Sequence, residues 1–207
     1  MWQAHAALWE AEVGNVVQAR RLAMTGLPST ADKEVQAGAV VTALALARAG
    51  EAARAKILLL DLSRQFPANV WLGKYWLPSI RAAIELDRNN PAGAIEALQI
   101  AKPYELGGDP ITFDTLYPVY LRGQAFLMQR KGTEAAAEFQ NILDHRGRVT
   151  NGILGALAYL QLGRAYVLAA DPQKARNAYQ QFFSLWKNAD PDARLIRQAA
   201  AEFSHVH

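Results

Sequence analysis

A stretch of roughly 40 residues recurs along this chain, and that period constrains the fold more than any single motif does, because repeating units bury their apolar faces against one another. Five segments pair a loop signal with a short helical pattern built on one small residue. They open at Gly14, Gly50, Asn90-Pro91, Gly132 and Asp171-Pro172 and reach Ala19, Ala55, Ala94, Ala135 and Ala175. Those alanines are separated by 36, 39, 41 and 40 residues. Four residues beyond each stands Ala23, Leu59, Leu98, Phe139 or Tyr179; seven beyond stands Gly26, Leu62, Ala101, Ile142 or Phe182. Positions i, i+4 and i+7 share one face of an α-helix, so every segment presents a small-then-large apolar stripe.

A second helical pattern precedes each of these. Leu121-Arg122-Gly123-Gln124-Ala125-Phe126 lies ahead of Gly132, and Leu162-Gly163-Arg164-Ala165-Tyr166 repeats it 40 residues later. A glycine inside a helix costs roughly 1 kcal/mol against alanine, so two at one repeat position imply that a packing partner comes too close for a Cβ. The unit is therefore helix, tight turn, helix, with Asn90 and Asp171 capping and the prolines after them at first helical positions. The expected hairpins are 2–13 with 15–26, 33–49 with 51–66, 70–88 with 91–102, 113–131 with 133–146, and 153–170 with 172–188. A last helix over 191–204 caps the array. Longer connectors run from Pro103 to Pro110 and from Arg146 to Gly152, and the repeat continues across both. The fold class expected is all-α, one right-handed α-solenoid of about five hairpins over residues 1–207.

Composition agrees with this. Of 207 residues, 51% are hydrophobic and 20% charged, enough to bury a core. Alanine and leucine together approach a third of the chain, which favours helix over strand. The absence of cysteine removes disulfides, thiolate nucleophiles and Cys-ligated zinc. No apolar run approaches the roughly 20 residues of a membrane span, and no basic-then-apolar leader opens the chain, which reads as soluble. The net charge of +3 arises entirely after residue 110, where 11 basic residues meet 8 acidic ones. Arg122, Arg130, Lys131, Arg146, Arg148 and Arg164 are interleaved with Glu134, Glu138 and Asp144, which is a pattern of solvated helix faces rather than a nucleic-acid-binding stripe.

Catalytic chemistry has no candidate residues. Asp144-His145-Arg146-Gly147 echoes a kinase catalytic loop, yet Gly147 stands where the catalytic aspartate belongs, and there is no Gly-rich loop, V-A-I-K or D-F-G. His145 suits a cation at a helix C-terminus. His5, His145, His205 and His207 make no metal-ligand spacing, and no nucleophile elbow surrounds Ser29, Ser63, Ser79, Ser184 or Ser204. Glu134 and Glu138 at i, i+4 are surface decoration. No enzyme activity, cofactor or metal is expected.

Leu162-Gly163-x-x-Tyr166 with Ala175-x-x-x-Tyr179 resembles the tetratricopeptide repeat, and Gly123, Phe126, Ala135 and Phe139 match it with phenylalanine for tyrosine. The first three repeats depart from the pattern, with Ala, Glu or Leu where the family prefers Gly and Tyr. Longer markers extend the likeness along the chain: Ala7-Leu8-Trp9-Glu10, Tyr75-Trp76-Leu77-Pro78-Ser79-Ile80-Arg81, Leu116-Tyr117-Pro118-Val119-Tyr120 and Leu185-Trp186-Lys187-Asn188. Together these resemble the C-terminal repeat region of bacterial eukaryotic-like serine/threonine protein kinases of the acidobacterial type, and of related winged-helix regulators. The resemblance implies a non-catalytic regulatory or sensing module that binds a protein or peptide in the groove lined by the first helix of each hairpin. By that analogy Trp76, Arg81, Tyr117, Tyr120, Gln124, Leu127, Leu160 and Arg164 project toward the groove. No Lys/Asn/Arg clamp recurs at matched positions, so capture of a C-terminal carboxylate is not expected. Two other roles fit the same residues: a small-ligand sensor with a pocket near the Pro103–Pro110 connector, and a homodimerisation module. Met1-Trp2 opens in what reads as the middle of a first helix without a polar cap, so the expectation is a piece of a longer polypeptide. Its compartment is left open between cytoplasm and periplasm.

Overall fold

The computed structural model describes residues 2–25, 33–107, 116–149 and 152–206. Gly26, Ser29, the connector residues Gly108, Asp109 and Pro110, the expected helix start at 113–115, Thr150, Asn151 and His207 lie outside them. The fold is all-α: the described residues are 80% helical and include no strand. The α-helices are α1 (Trp2–Glu12), α2 (Val16–Thr25), α3 (Lys33–Arg48), α4 (Ala52–Gln65), α5 (Leu77–Asp87) and α6 (Pro91–Leu98). After these come α7 (Tyr117–Met128), α8 (Gly132–Asp144), α9 (Leu154–Leu168), α10 (Pro172–Leu185) and α11 (Arg194–Ser204). The chain falls into two compact units, residues 1–112 and 113–207. In the first, α1 packs on α2, α3 on α4 and α5 on α6, while α1, α3 and α5 pack neighbour to neighbour. In the second, α7 packs on α8, α9 on α8 and α10, and α7 also touches α9.

All five hairpins reverse through one backbone device. Among the described residues, Gly14, Gly50, Asn89, Arg130 and Ala170 have positive φ, at 85°, 78°, 58°, 58° and 56°. Each lies five residues before the repeat alanine, so the turns share the alanines' spacing. At every one, the next residue's N–H reaches back five positions: Asn15 to Glu10 O, Glu51 to Leu46 O, Asn90 to Glu85 O, Lys131 to Phe126 O and Asp171 to Tyr166 O, all at 2.8–2.9 Å. A left-handed residue with this long backward bond satisfies carbonyls that a helix end leaves open. The sequence points to Gly132 and Asp171 as the reversing residues of the last two hairpins; the left-handed positions are instead Arg130 and Ala170, side chains that glycine would spare about 1–2 kcal/mol of steric cost. Asn90 and Asp171 do cap, accepting from Gly93 N–H and Lys174 N–H at 3.1 Å.

The interior follows the period. Ala19, Ala55, Ala94, Ala135 and Ala175 are all completely buried, and so, to within 7%, are Ala23, Leu59, Leu98, Phe139 and Tyr179. Seven residues before each left-handed position stands a buried small residue: Ala7, Ala43, Ala82, Gly123 and Gly163. In the last two hairpins this is glycine because an aromatic ring fills the space. A Cβ on Gly123 would stand 2.6 Å from Phe139 Cζ, and one on Gly163 2.9 Å from the Tyr179 ring. Gly132 likewise abuts the α9 backbone, where a Cβ would lie 2.5 Å from Ala169 N.

One expected helix is interrupted. The pattern over 70–88 predicts a single α-helix, but Leu72–Trp76 forms a π-turn before α5, with Leu77 N–H bonded to Leu72 O. Pro78 has no N–H to offer Lys74 O and its ring crowds that carbonyl, so the coil widens ahead of it. Ser79 Oγ donates to Tyr75 O at 2.6 Å and satisfies one carbonyl of the widened turn.

Candidate functional site

The second unit builds a connected polar cluster from the same repeat position that packs its core. Because Gly163 has no side chain, the Tyr179 ring packs directly on α9, and its hydroxyl reaches α11. That hydroxyl donates to Glu202 Oε2 of α11 at 3.0 Å. Arg164, next along α9, forks onto the same carboxylate, Nε to Oε2 at 2.8 Å and Nη2 to Oε1 at 2.9 Å. Gln198 Nε2 adds a bond to Oε1 at 3.0 Å. On the other side Arg164 Nη1 donates to Gln161 Oε1 at 3.2 Å, and Gln161 Nε2 donates to Tyr120 OH at 3.3 Å. The two-pronged geometry makes this a directional pair rather than a loose surface contact.

Electrostatics follow from the arrangement. Burial works to raise the Glu202 carboxyl, but the Arg164 fork, with the Tyr179 and Gln198 bonds, holds it below the ordinary glutamate value. Burial works to lower the Arg164 guanidinium, which Glu202 nevertheless holds above its usual value. The Tyr179 phenol is pushed up, by burial first and then by the Glu202 charge. All three groups keep their ordinary neutral-pH charge and none is poised to move a proton near pH 7.

Beside the cluster lies a cavity of about 430 Å³. Leu127, Val167, Leu168 and Val206 give it apolar walls, and Arg164, Tyr179, Glu202 and His205 form its polar end. The Phe203 ring lies 5.7 Å from the Tyr179 ring and 5.8 Å from that of Phe183, and Arg176 lies over it while donating to Val206 O at 2.9 Å. A second cavity, about 330 Å³, lies between α8 and α10 over α9; Asp144, Arg146, Lys174, Tyr159 and Tyr166 are among its lining residues.

The eight groove residues expected from sequence separate in the structure. Trp76 and Tyr117 are 2% exposed and Tyr120 and Leu160 are fully enclosed, so these four pack the interior instead of facing a partner. Apolar area on a first helix is as well spent between helices as in a groove, and here packing takes it. Arg81 is exposed on α5 in the first unit. Gln124 is half-buried, with a buried Oε1 that accepts no hydrogen bond. Leu127 and Arg164 line the 430 Å³ cavity. Glu202, Tyr179, Val167 and Val206 share that site without having been singled out for it. The signal for them was Arg164 and Tyr179 in one repeat facing an amphipathic last helix that carries a single acid. Among the described residues no three His, Asp or Glu side chains gather into a metal site. His145 is the C-cap of α8, with Nδ1 2.8 Å from Asn141 O, in keeping with its sequence position.

No family model, curated protein or solved structure matches the chain. No helix among the described residues is long and apolar enough to cross a membrane.

Proposed function

We propose that this chain is a non-catalytic protein-recognition module of tetratricopeptide-like hairpins that holds a partner's helix or extended segment on its first helices. The observation that carries this reading is the cavity where Leu127 and Arg164 meet. Two first-helix positions from successive hairpins line one open apolar surface that ends in a preset charged fork. Such a site offers area to an apolar side chain and direction to a polar one, the combination that gives helix-in-groove binding its affinity and register. Rigid stacking of hairpins supplies preorganisation, which lowers the entropic cost of docking. The five matched turns support a repeat of tetratricopeptide-like hairpins within each unit. The sequence likeness to kinase-attached repeat regions supports a regulatory role within a larger bacterial signalling protein.

Selection from a displayed library of amphipathic peptides tests this. Binders are expected to enrich on the wild-type chain and to be lost on Leu127→Arg combined with Val167→Glu, whose circular dichroism should be unchanged because both positions keep solvent contact. Enrichment that ignores the double variant, or stabilisation only by small metabolites, would reject it.

A further inference from the structure

The final helix of the chain carries a description of what its seat recognises. We propose that α11 occupies in cis a seat on α9 and α10 that receives, in trans, an amphipathic helix of another polypeptide bearing an acidic residue followed at once by an aromatic one. This rests on the protein-recognition reading and names the partner's chemistry.

Four observations carry it. The carboxylate of Glu202 receives four hydrogen bonds, from both arms of the Arg164 guanidinium, from Tyr179 and from Gln198, and three of these come from outside α11. The neighbouring Phe203 enters an aromatic seat against Tyr179 and Phe183, with Arg176 over its face. The rest of α11 is held lightly: only Leu195 and Ala199 of its eleven residues are buried, and its N-cap residue, Ala193, has no side-chain bond. Finally, α11 leaves the seat partly unfilled, since the 430 Å³ cavity stays open between its end and Leu127 and Val167. A terminal helix that served only to cover apolar surface would need area, not a charged fork. Here the specific contacts are concentrated in one turn, and apolar surface is left over.

The recognised signature can be read from α11 itself: leucine, a small residue, glutamate and phenylalanine at i, i+4, i+7 and i+8, as in Leu195, Ala199, Glu202 and Phe203. The eight residues between α10 and α11 tether the cis helix at an effective concentration on the order of millimolar. A free helix of equal intrinsic strength therefore loses to α11, and the seat opens to a partner that fills the leftover cavity or when α11 is weakened.

The test uses the full chain and a fluorescent synthetic peptide of residues 190–207, followed by polarisation. Glu202→Ala weakens the cis helix, and the peptide is expected to bind that variant about ten-fold tighter than wild type, the order of a lost charge-assisted pair. Adding Arg164→Ala to E202A should remove that gain, because the peptide's own glutamate then has no fork. Should E202A lose its helical signal, Phe203→Ala opens the same seat with the fork intact. Equal binding to wild type and both opened variants, or binding indifferent to Arg164, overturns the proposal. So does a dimer that forms by exchange of α11 between copies, seen by light scattering, since it assigns the seat to a second copy. Library peptides that bind wild type yet ignore E202A would leave protein recognition standing and refute this seat.

Discussion

Replacing Gly123 by alanine isolates the contact on which the last two hairpins are built. The new Cβ would stand 2.6 Å from Phe139 Cζ and 2.7 Å from Cε1, while comfortable carbon contacts begin near 3.5 Å, so ring or helix must retreat by roughly 1 Å. Phe139 is fully enclosed. Overpacking of this kind costs about 1–3 kcal/mol, and alanine returns about 1 kcal/mol of helix propensity, so Gly123→Ala should give a net destabilisation of up to about 2 kcal/mol. Phe139→Leu removes the offending ring atoms and by itself costs about 1–2 kcal/mol, less than the 3–5 of truncation to alanine. In that background Gly123→Ala should become neutral or stabilising, which makes the coupling about 2 kcal/mol. Because the chain holds two compact units, hydrogen exchange of the α7 and α8 amides is the appropriate readout, alongside urea unfolding by circular dichroism. A coupling near zero, or a Gly123→Ala protein stabilised by the full helix-propensity gain, would refute the claim that glycine is there to admit the ring.

Ala170→Gly should stabilise the fifth hairpin by about 0.5 kcal/mol, as relief at φ 56° outweighs the added freedom of the unfolded chain, and a fall in urea midpoint would contradict it. Asp171→Ala should loosen the first turn of α10 by removing the cap on Lys174 N–H, read as faster exchange of the amides there. Acid should release α11: Glu202 titrates below the ordinary value of 4.5, so its contribution is complete above that pH and lost as pH falls through the depressed folded value. Protection factors of α11 amides, taken against the intrinsic exchange rate at each pH, that stay flat from pH 6 to about pH 3 would count against the Arg164 fork as its anchor.

Most helix boundaries were legible because they rest on local rules. The spacing of Ala19, Ala55, Ala94, Ala135 and Ala175 fixes which face is buried, and all five are. Gly123 and Gly163 announced a close approach in the sequence and meet Phe139 and Tyr179 in the structure. What sequence misses is what one residue type does in two settings. Tyr117 and Tyr120 look like groove anchors by type, yet a tyrosine with its hydroxyl satisfied inside, as Tyr120 is by Gln161, buries as readily as phenylalanine. Arg130 and Ala170 carry no letter that signals a left-handed turn, whereas Gly132, two positions on, and Asp171, one position on, are the residue types that do. The fork on Glu202 spans 38 residues and depends on where α11 comes to rest, which no periodicity specifies.

The five matching reversals bear on how the molecule assembles in time. Each joins helices that follow one another directly in the chain, so a hairpin closes without waiting for any distant part of it. Folding can then begin at several places at once and spread to neighbours, with α11, the least enclosed helix of the second unit, arriving last.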